Sequence, residues 1–186
     1  MFLMSTEMRN DRETDPHWKV EPAQPGDSAE IADVQRAGWV ATYPDPAVGL
    51  SKEEIASIDF ATPEKLAMWE ESIEQQDDRK RIWVVRDNGK LIGYTVAEKR
   101  PDGHELCAIY VLPAYHGQGV GKILMNEASA WLGNESNISV WVFSHNTSAI
   151  QFYQKCGFAA SGKTASLKVN GKDIPDLEMV KGATKN

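Results

Sequence analysis

Val111-Leu-Pro-Ala-Tyr-His-Gly-Gln-Gly-Val-Gly-Lys-Ile-Leu-Met125 is the stretch of this 186-residue chain whose residue types and spacing best suit chemistry. Gly117, Gly119 and Gly121 alternate with other residues between an apolar run, Leu106 to Leu112, and a segment of helical apolar period. A strand, a glycine turn and a helix start together hold phosphate. Glycine lets the backbone approach closely, and unpaired N–H groups at the helix start face the anion with the helix dipole behind them. The spacing excludes two other phosphate loops. No Gly-Lys-Ser/Thr closes the turn at P-loop distance, and the glycines fall as G-x-G-x-G with no acidic residue at the dinucleotide-fold separation. A plain strand-to-helix connection uses such glycines too, so the turn alone leaves both readings open. Cys107 and Cys156 fall on predicted core elements and form neither a metal-ligand spacing nor a disulfide framework.

The elements that must position this turn are legible from period and punctuation. Residues 1–16 are polar and aperiodic and read as a flexible N-terminal arm; residues 17–186 read as one domain. His17 to Glu21 alternates apolar and polar as a first strand, broken from Pro22 to Gly26. Asp27 or Ser28 caps a helix carrying Ile31, Val34 and Val40 as far as Thr42, which Pro44 and Pro46 end. Ser51-Lys-Glu-Glu54 has the spacing of a capping box for a short helix to Ile58. Thr62-Pro63 opens another to Gln76, with Leu66, Trp69 and Ile73 on one face.

The period then changes to two. Arg81–Arg86, Asn88-Gly89 and Leu91–Ala97 make a hairpin, and Pro101-Asp-Gly103 turns into a third strand, His104–Leu112. The glycine turn, a helix from Gly119 to Leu132 and a strand Ile138–Phe143 follow as a parallel crossover. A helix Thr147–Cys156 ends at Gly157, and strands 158–169 and 176–181 close the chain around Asn170-Gly171. The expected fold is α/β: a mixed, mostly antiparallel central sheet of about seven strands with helices on both faces.

Composition narrows the functional classes. A formal charge of −7 argues against nucleic acid as a partner, because phosphate binders are usually basic, and suits a cationic substrate. No apolar run approaches the ~20 residues that span a bilayer, so no membrane role is expected. Met1-Phe-Leu-Met4 is too short for a signal segment, which points to a cytoplasmic protein with reduced thiols.

At His116-Gly-Gln-Gly119-Val-Gly121 the sequence resembles motif A of the GNAT acyltransferases, Gln/Arg-x-x-Gly-x-Gly/Ala, with His116 where the family has Gln or Arg. Asn146, Ala149, Tyr153, Gly157 and Phe158 match in register the family's motif B, Asn-x-x-Ala-x-x-x-Tyr-x-x-x-Gly-Phe. The resemblance spans about residues 17–181 and implies the single-domain GNAT fold, with acetyl-CoA as cosubstrate. It implies that the pyrophosphate is gripped by the backbone of His116, Gly117, Gln118, Gly119, Val120, Gly121 and Lys122. Pantetheine would then pair with the main chain of Ile109, Tyr110 and Val111, as an added strand does. Asn146 would contact the cofactor, and can also cap the helix that follows it.

The resemblance also implies direct transfer in a ternary complex, without an acyl-enzyme. Tyr153 is the candidate acid for the departing thiolate, a phenol of ordinary pKa near 10 being matched to it, although the same residue can simply pack beside Phe152. An amine must be neutral to attack, so a base is needed. Glu105, entering the strand before the glycine turn, is the first choice, followed by His104 and Glu98. Cys107 lacks a nucleophile's partners and His145 reads as a loop residue. Trp39 and Tyr43, in Trp-x-x-x-Tyr-Pro, are the candidate acceptor-binding residues; that arrangement and the closing Leu177-Glu-Met-Val-Lys181 resemble the polyamine-type and protein-N-acetyl branches of the family. The acidic run Glu70, Glu71, Glu74, Asp77 and Asp78 could attract a polyamine. The expected activity is acetylation of a primary amine, a small cationic amine such as a polyamine. Acetylation of a protein or peptide N-terminus and a non-catalytic acyl-CoA-binding module are the alternatives, as monomer or homodimer.

Overall fold

A computed structural model describes residues 18–184. The expected N-terminal arm lies outside them. The strands are β1 (Val20–Pro22), β2 (Lys80–Asp87), β3 (Lys90–Glu98), β4 (His104–Val111), β5 (Ile138–Phe143), β6 (Ala159–Val169) and β7 (Lys172–Lys181). The helices are α1 (Ser28–Thr42), α2 (Lys52–Ala56), α3 (Pro63–Glu74), α4 (Val120–Leu132) and α5 (Thr147–Lys155). All seven strands form one sheet in the order β1-β2-β3-β4-β5-β7-β6, antiparallel except for β4 beside β5.

Local chemistry accounts for most boundaries. Asn88 and Gly89, and again Asn170 and Gly171, take positive φ, as a two-residue hairpin of the primed type requires. Ser51 and Glu54 form the capping box reciprocally, and the Thr62 side chain caps α3 with Pro63 at its first position. Asp27 occupies the N-cap of α1 but does not cap with its side chain. Its carboxylate instead accepts from the Gln24 N–H and from Arg86 of β2, which also holds Glu21 and Glu30. The long-range ion pair outcompetes the local bond.

Two strand ends differ from the sequence reading. β1 begins only at Val20 and includes Pro22, tolerated because β1 is an edge strand. β7 begins at Lys172, four residues before the expected start, and runs through Pro175. That proline lies just beyond the last β5 pair, Phe143 with Asp176, so its missing N–H interrupts no β5 ladder bond.

One sheet face is covered by α4, with Leu124, Met125, Ala128 and Leu132 against Val85, Ile92, Leu106, Val140 and Met179. Tyr153 of α5 belongs to the same cluster. On the opposite face Ile31 and Val34 of α1 and Ile73 of α3 cover Ile82, Val84, Tyr94 and Val96. The helix α2 shares a third cluster with Phe143, Val169 and Ile174.

Gly38 sets how closely α1 approaches β4, since a Cβ there would stand 2.8 Å from Tyr110 Cδ1. That ring is locked by stacking on Tyr94 and by hydrogen bonds at its hydroxyl. Gly38→Ala therefore overpacks by about 1–3 kcal/mol, against about 1 kcal/mol gained in helix propensity. The melting temperature should fall by about 2–6 °C in a calorimetric scan; an unchanged or raised value would show that the contact yields freely.

Candidate active site

The sheet opens between its two parallel strands. β4 and β5 pair only at His104 with Ile138 and Glu105 with Ser139, so from Leu106 onward no ladder joins them. The register between β3 and β4 shifts after Val96: Ala97 faces Leu106 and Val96 faces Ala108, which makes Cys107 the extra residue of a bulge. Ile109, Tyr110 and Val111 keep their β3 pairing and lie along the opened edge. Such an edge takes an extended amide-bearing ligand as an added strand.

Above the opening lies the glycine turn. A short 3-10 turn, Pro113–Tyr115, is tied to β2 by the Tyr115 hydroxyl donating to Asp87 Oδ2 at 2.8 Å. Gly117 and Gly119 have φ of +75° and +96°, and nothing lies within 4 Å of where their Cβ atoms would be. The first bond of the α4 ladder runs from Ile123 N–H to the Gly119 carbonyl, so the amides of Val120, Gly121 and Lys122 point out of the helix start. A Cβ at Gly121 would sit 3.5 Å from the Phe152 ring, which fixes how closely α5 packs. Exposed amides, a helix dipole, an exposed Lys122 and open space fit a pyrophosphate.

His116 has a local role. Its Nε2 donates to the Val111 carbonyl at 2.9 Å, which fixes the tautomer, since a carbonyl only accepts. This side chain ties the turn to β4, while Gln118 Nε2 donates to the Ala114 carbonyl. The grip offered to an anion is therefore mainly main-chain.

Two residues of the second motif flank the opening. Asn146 caps α5, its side-chain oxygen accepting from the Ala149 N–H at 3.1 Å. Tyr153 is 6% exposed, against Phe152 and Phe158, in the cluster that contains Val140 and Val142 of β5. The ordinary phenol pKa expected for it does not hold here. Burial raises it well above 10, with the phenol of Tyr110 adding. The hydroxyl stays protonated throughout the working pH range.

Trp39 and Tyr43 converge on Tyr110. Trp39 Nε1 donates to the Tyr110 hydroxyl at 3.0 Å, and the Tyr43 and Tyr110 hydroxyls share a hydrogen bond of 2.9 Å. Their rings pack on Phe60 and Phe143, so the two form a wall at the end of α1. His145 stacks on Phe143 and lies 3.3 Å from Asp45. The acidic run is elsewhere. Glu70 accepts from the Gly26 N–H, Glu71 from Gln75, and Asp77 from the N–H groups of Arg79 and Lys80. Asp77 alone of that run lines a hollow of about 340 Å³ that reaches Glu98.

Beyond the helices that cover it, the face opposite α4 carries a charged floor. Glu98, Glu105, Trp141 and Glu178 project from β3, β4, β5 and β7, alternating with residues buried under α4. Glu105 stands at the apex of the opening, opposite Ser139. Arg100, from the β3–β4 turn, bonds both Glu105 and Glu98, and Lys80 lies 3.7 Å from Glu98. Burial raises the Glu105 pKa, Arg100 opposes it, and the charges of Glu98 and Glu178 add to the rise. His104 is at the same apex, one residue away, on the strand's other side.

Cys107 departs from its expected core position. The bulge leaves it exposed, although desolvation of its sulfur and the charges of Glu98 and Glu105 push the thiol up to about 12. No thiolate is available at neutral pH. Arg100, Trp141 and the Tyr110 hydroxyl were not singled out in the sequence, and Glu178 entered only as part of the stretch Leu177–Lys181. Trp141 and Glu178 each left a signal there, as outward members of alternating strands.

An opened parallel strand pair, a glycine helix start and a buried phenol between them define an enzyme that transfers an acyl group from a CoA thioester. Residues 32–158 match the acetyltransferase (GNAT) family, and the chain belongs to it. It is an N-acetyltransferase, and acetyl-CoA is its cosubstrate. It is 32% identical over 108 residues to an uncharacterised N-acetyltransferase of Mycobacterium tuberculosis, covering 56% of this chain and 69% of that one. A peptidyl-lysine N-acetyltransferase of Salmonella typhimurium is 29% identical over 126 residues, 67% of this chain and 81% of that protein. In fold the chain resembles the PaiA N-acetyltransferase of Thermoplasma acidophilum, solved in complex with coenzyme A. The TM-score is 0.70 at 21% identity, over 89% of this chain and 98% of the other. Among the described residues no helix is long and apolar enough to cross a membrane.

Proposed function

We propose that this enzyme acetylates a primary alkyl amine carried on a small cationic molecule such as a polyamine, by direct attack in a ternary complex. The observation that carries the reading is the floor of carboxylates, with Glu105 at the apex where the strands part. Acetyl-CoA supplies the thioester carbonyl and a thiol leaving group. The backbone of Gly117 to Lys122 holds its pyrophosphate, Ile109 to Val111 and the Asn146 amide orient its pantetheine, and the Tyr153 hydroxyl faces the sulfur. Glu105, ionised, takes the proton that the ammonium must lose before its nitrogen can attack. Tyr153 donates its hydrogen bond, and then its proton, to the sulfur as the carbon–sulfur bond breaks, and its phenolate is reprotonated by the second proton that the nitrogen sheds as the amide forms. Trp39 and Tyr43 wall the acceptor's entry.

A lysine side chain presents the same alkylammonium, and the Salmonella relative's name favours a peptide lysine as the second reading. A panel containing a polyamine, a lysine peptide and an N-terminal peptide separates these by which one releases CoA.

The base assignment has a pH signature. Glu105 acts as its carboxylate, so activity falls as pH drops through its raised pKa. Arg100 holds that pKa down, and Arg100→Ala should move the acid limb of kcat/KM to higher pH. Glu105→Gln should abolish the limb and lower turnover by about 10²-fold. An acid limb that neither variant alters would assign the proton to another group.

A further inference from the structure

Glu178 projects from β7 onto the exposed floor yet is only 8% exposed. Its cross-strand neighbour on the same face is Trp141 of β5, an exposed large aromatic at 37%. A carboxylate sunk beside an open indole is the pairing that holds an ammonium, by charge and by the ring's negative face. A cation of the chain itself already pairs with the carboxylate, from the β6 side. Lys163, on the irregular stretch of β6 opposite Glu178, brings its Nζ 3.3 Å from Glu178 Oε2 and 3.4 Å from Oε1. Ser161 Oγ donates to the same carboxylate at 2.6 Å, so its position is fixed before any ligand arrives. The Lys163 side chain is 72% exposed and can swing into solvent, while Glu178 keeps its bond from Ser161 when the lysine leaves.

Register places this pair relative to the reacting end. Glu105 faces Ser139, Ser139 faces Val180, and Glu178 lies two residues along from Val180. With strands ~4.8 Å apart and ~3.3 Å per residue, the Cα atoms of Glu105 and Glu178 are roughly 12 Å apart on one face. The two carboxylates are near enough for the charge of Glu178 to act on Glu105, although Glu178 turns to Ser161 and Lys163 of β6 and Glu105 to Arg100. An alkyl chain with an ammonium at each end spans them.

We propose that Glu178 and Trp141 anchor the second, non-reacting cation of the acceptor, and that Lys163 fills this anchor until the acceptor displaces it. The proposal rests on the alkylammonium reading above and sharpens it: the preferred acceptor is a diamine or longer polyamine rather than a monoamine. Lys163 is then an internal stand-in for the ligand, and it raises the concentration at which the acceptor binds. Ser161 keeps Glu178 oriented throughout.

The test is calorimetric titration of the CoA-loaded protein with 1,4-diaminobutane and with butylamine, alongside kcat/KM for both amines. The diamine should bind more tightly than the monoamine. Glu178→Gln should weaken the diamine about tenfold or more and erase the preference. Lys163→Ala, on an exposed strand where folding is not at issue, should tighten the diamine about two- to fivefold. Diamine affinity unchanged in both variants, or no preference for the diamine at all, overturns the anchor. Diamine binding that responds to both variants without any turnover supports the anchor and sinks the proposed acceptor. Acetylation of monoamines and diamines alike, indifferent to both variants, keeps the acceptor class and sinks the anchor.

Discussion

Tyr153→Phe should lower kcat by about 10²–10³-fold while CoA binding, followed by calorimetry, stays as it was. The substitution removes one oxygen and nothing else. The ring keeps its contacts with Phe152 and Phe158 and its place in the cluster under α4, so folding should not suffer. The effect falls instead on the leaving thiolate. Burial holds the hydroxyl protonated, well above the ordinary phenol range, so a donor is present at every pH where the enzyme works. A phenol held that high is a reluctant proton source in isolation. Its first contribution is a hydrogen bond to sulfur as charge develops, in the same dry setting that makes the thiolate more basic. Full turnover by the Phe variant would remove Tyr153 from the mechanism and return it to packing.

Gly119→Val should weaken CoA by about tenfold or more. Gly119 is the N-cap of α4 at a φ of +96°, where a β-branched side chain is strained by about 1–3 kcal/mol. Nothing lies within 4 Å of the new Cβ, so a clash is not the mechanism. The backbone must rotate to relieve the strain, and the amides of Val120 to Lys122 turn with it. Gly133→Val is the control, because Gly133 caps the other end of α4 at a φ of +78° and also has open space around it. Both variants should lose stability. Gly119→Val alone should lose CoA affinity; equal CoA affinity in the two would mean that the helix start does not hold the pyrophosphate.

Features set by neighbours in sequence were readable, and those set by strand register were not. The glycine turn, the Ser51 and Thr62 caps and the two Asn-Gly hairpins are local, and each appears where its residues indicate. The seven strands and the parallel step at β4 and β5 followed from element order. The bulge that exposes Cys107 depends on how β4 meets β3, and no residue type marks it. Glu178 reads as an ordinary strand charge until Ser161 and Lys163, brought opposite by β6, enclose it. Arg100 reads as a turn residue until it bridges Glu98 and Glu105. Asp27 illustrates the converse: a sound local cap was diverted by Arg86 from 59 residues away. The early start of β7 is also a matter of register, since its residues before Asp176 pair only with β6.

The most direct measurement is initial-rate thiol release from acetyl-CoA against a panel of polyamines, lysine peptides and N-terminal peptides, varying both substrates. The account predicts turnover with a primary alkylammonium, best with a polyamine, and intersecting double-reciprocal lines as a ternary complex requires. Release confined to α-amino peptide ends would contradict the acceptor, and parallel lines would contradict direct transfer.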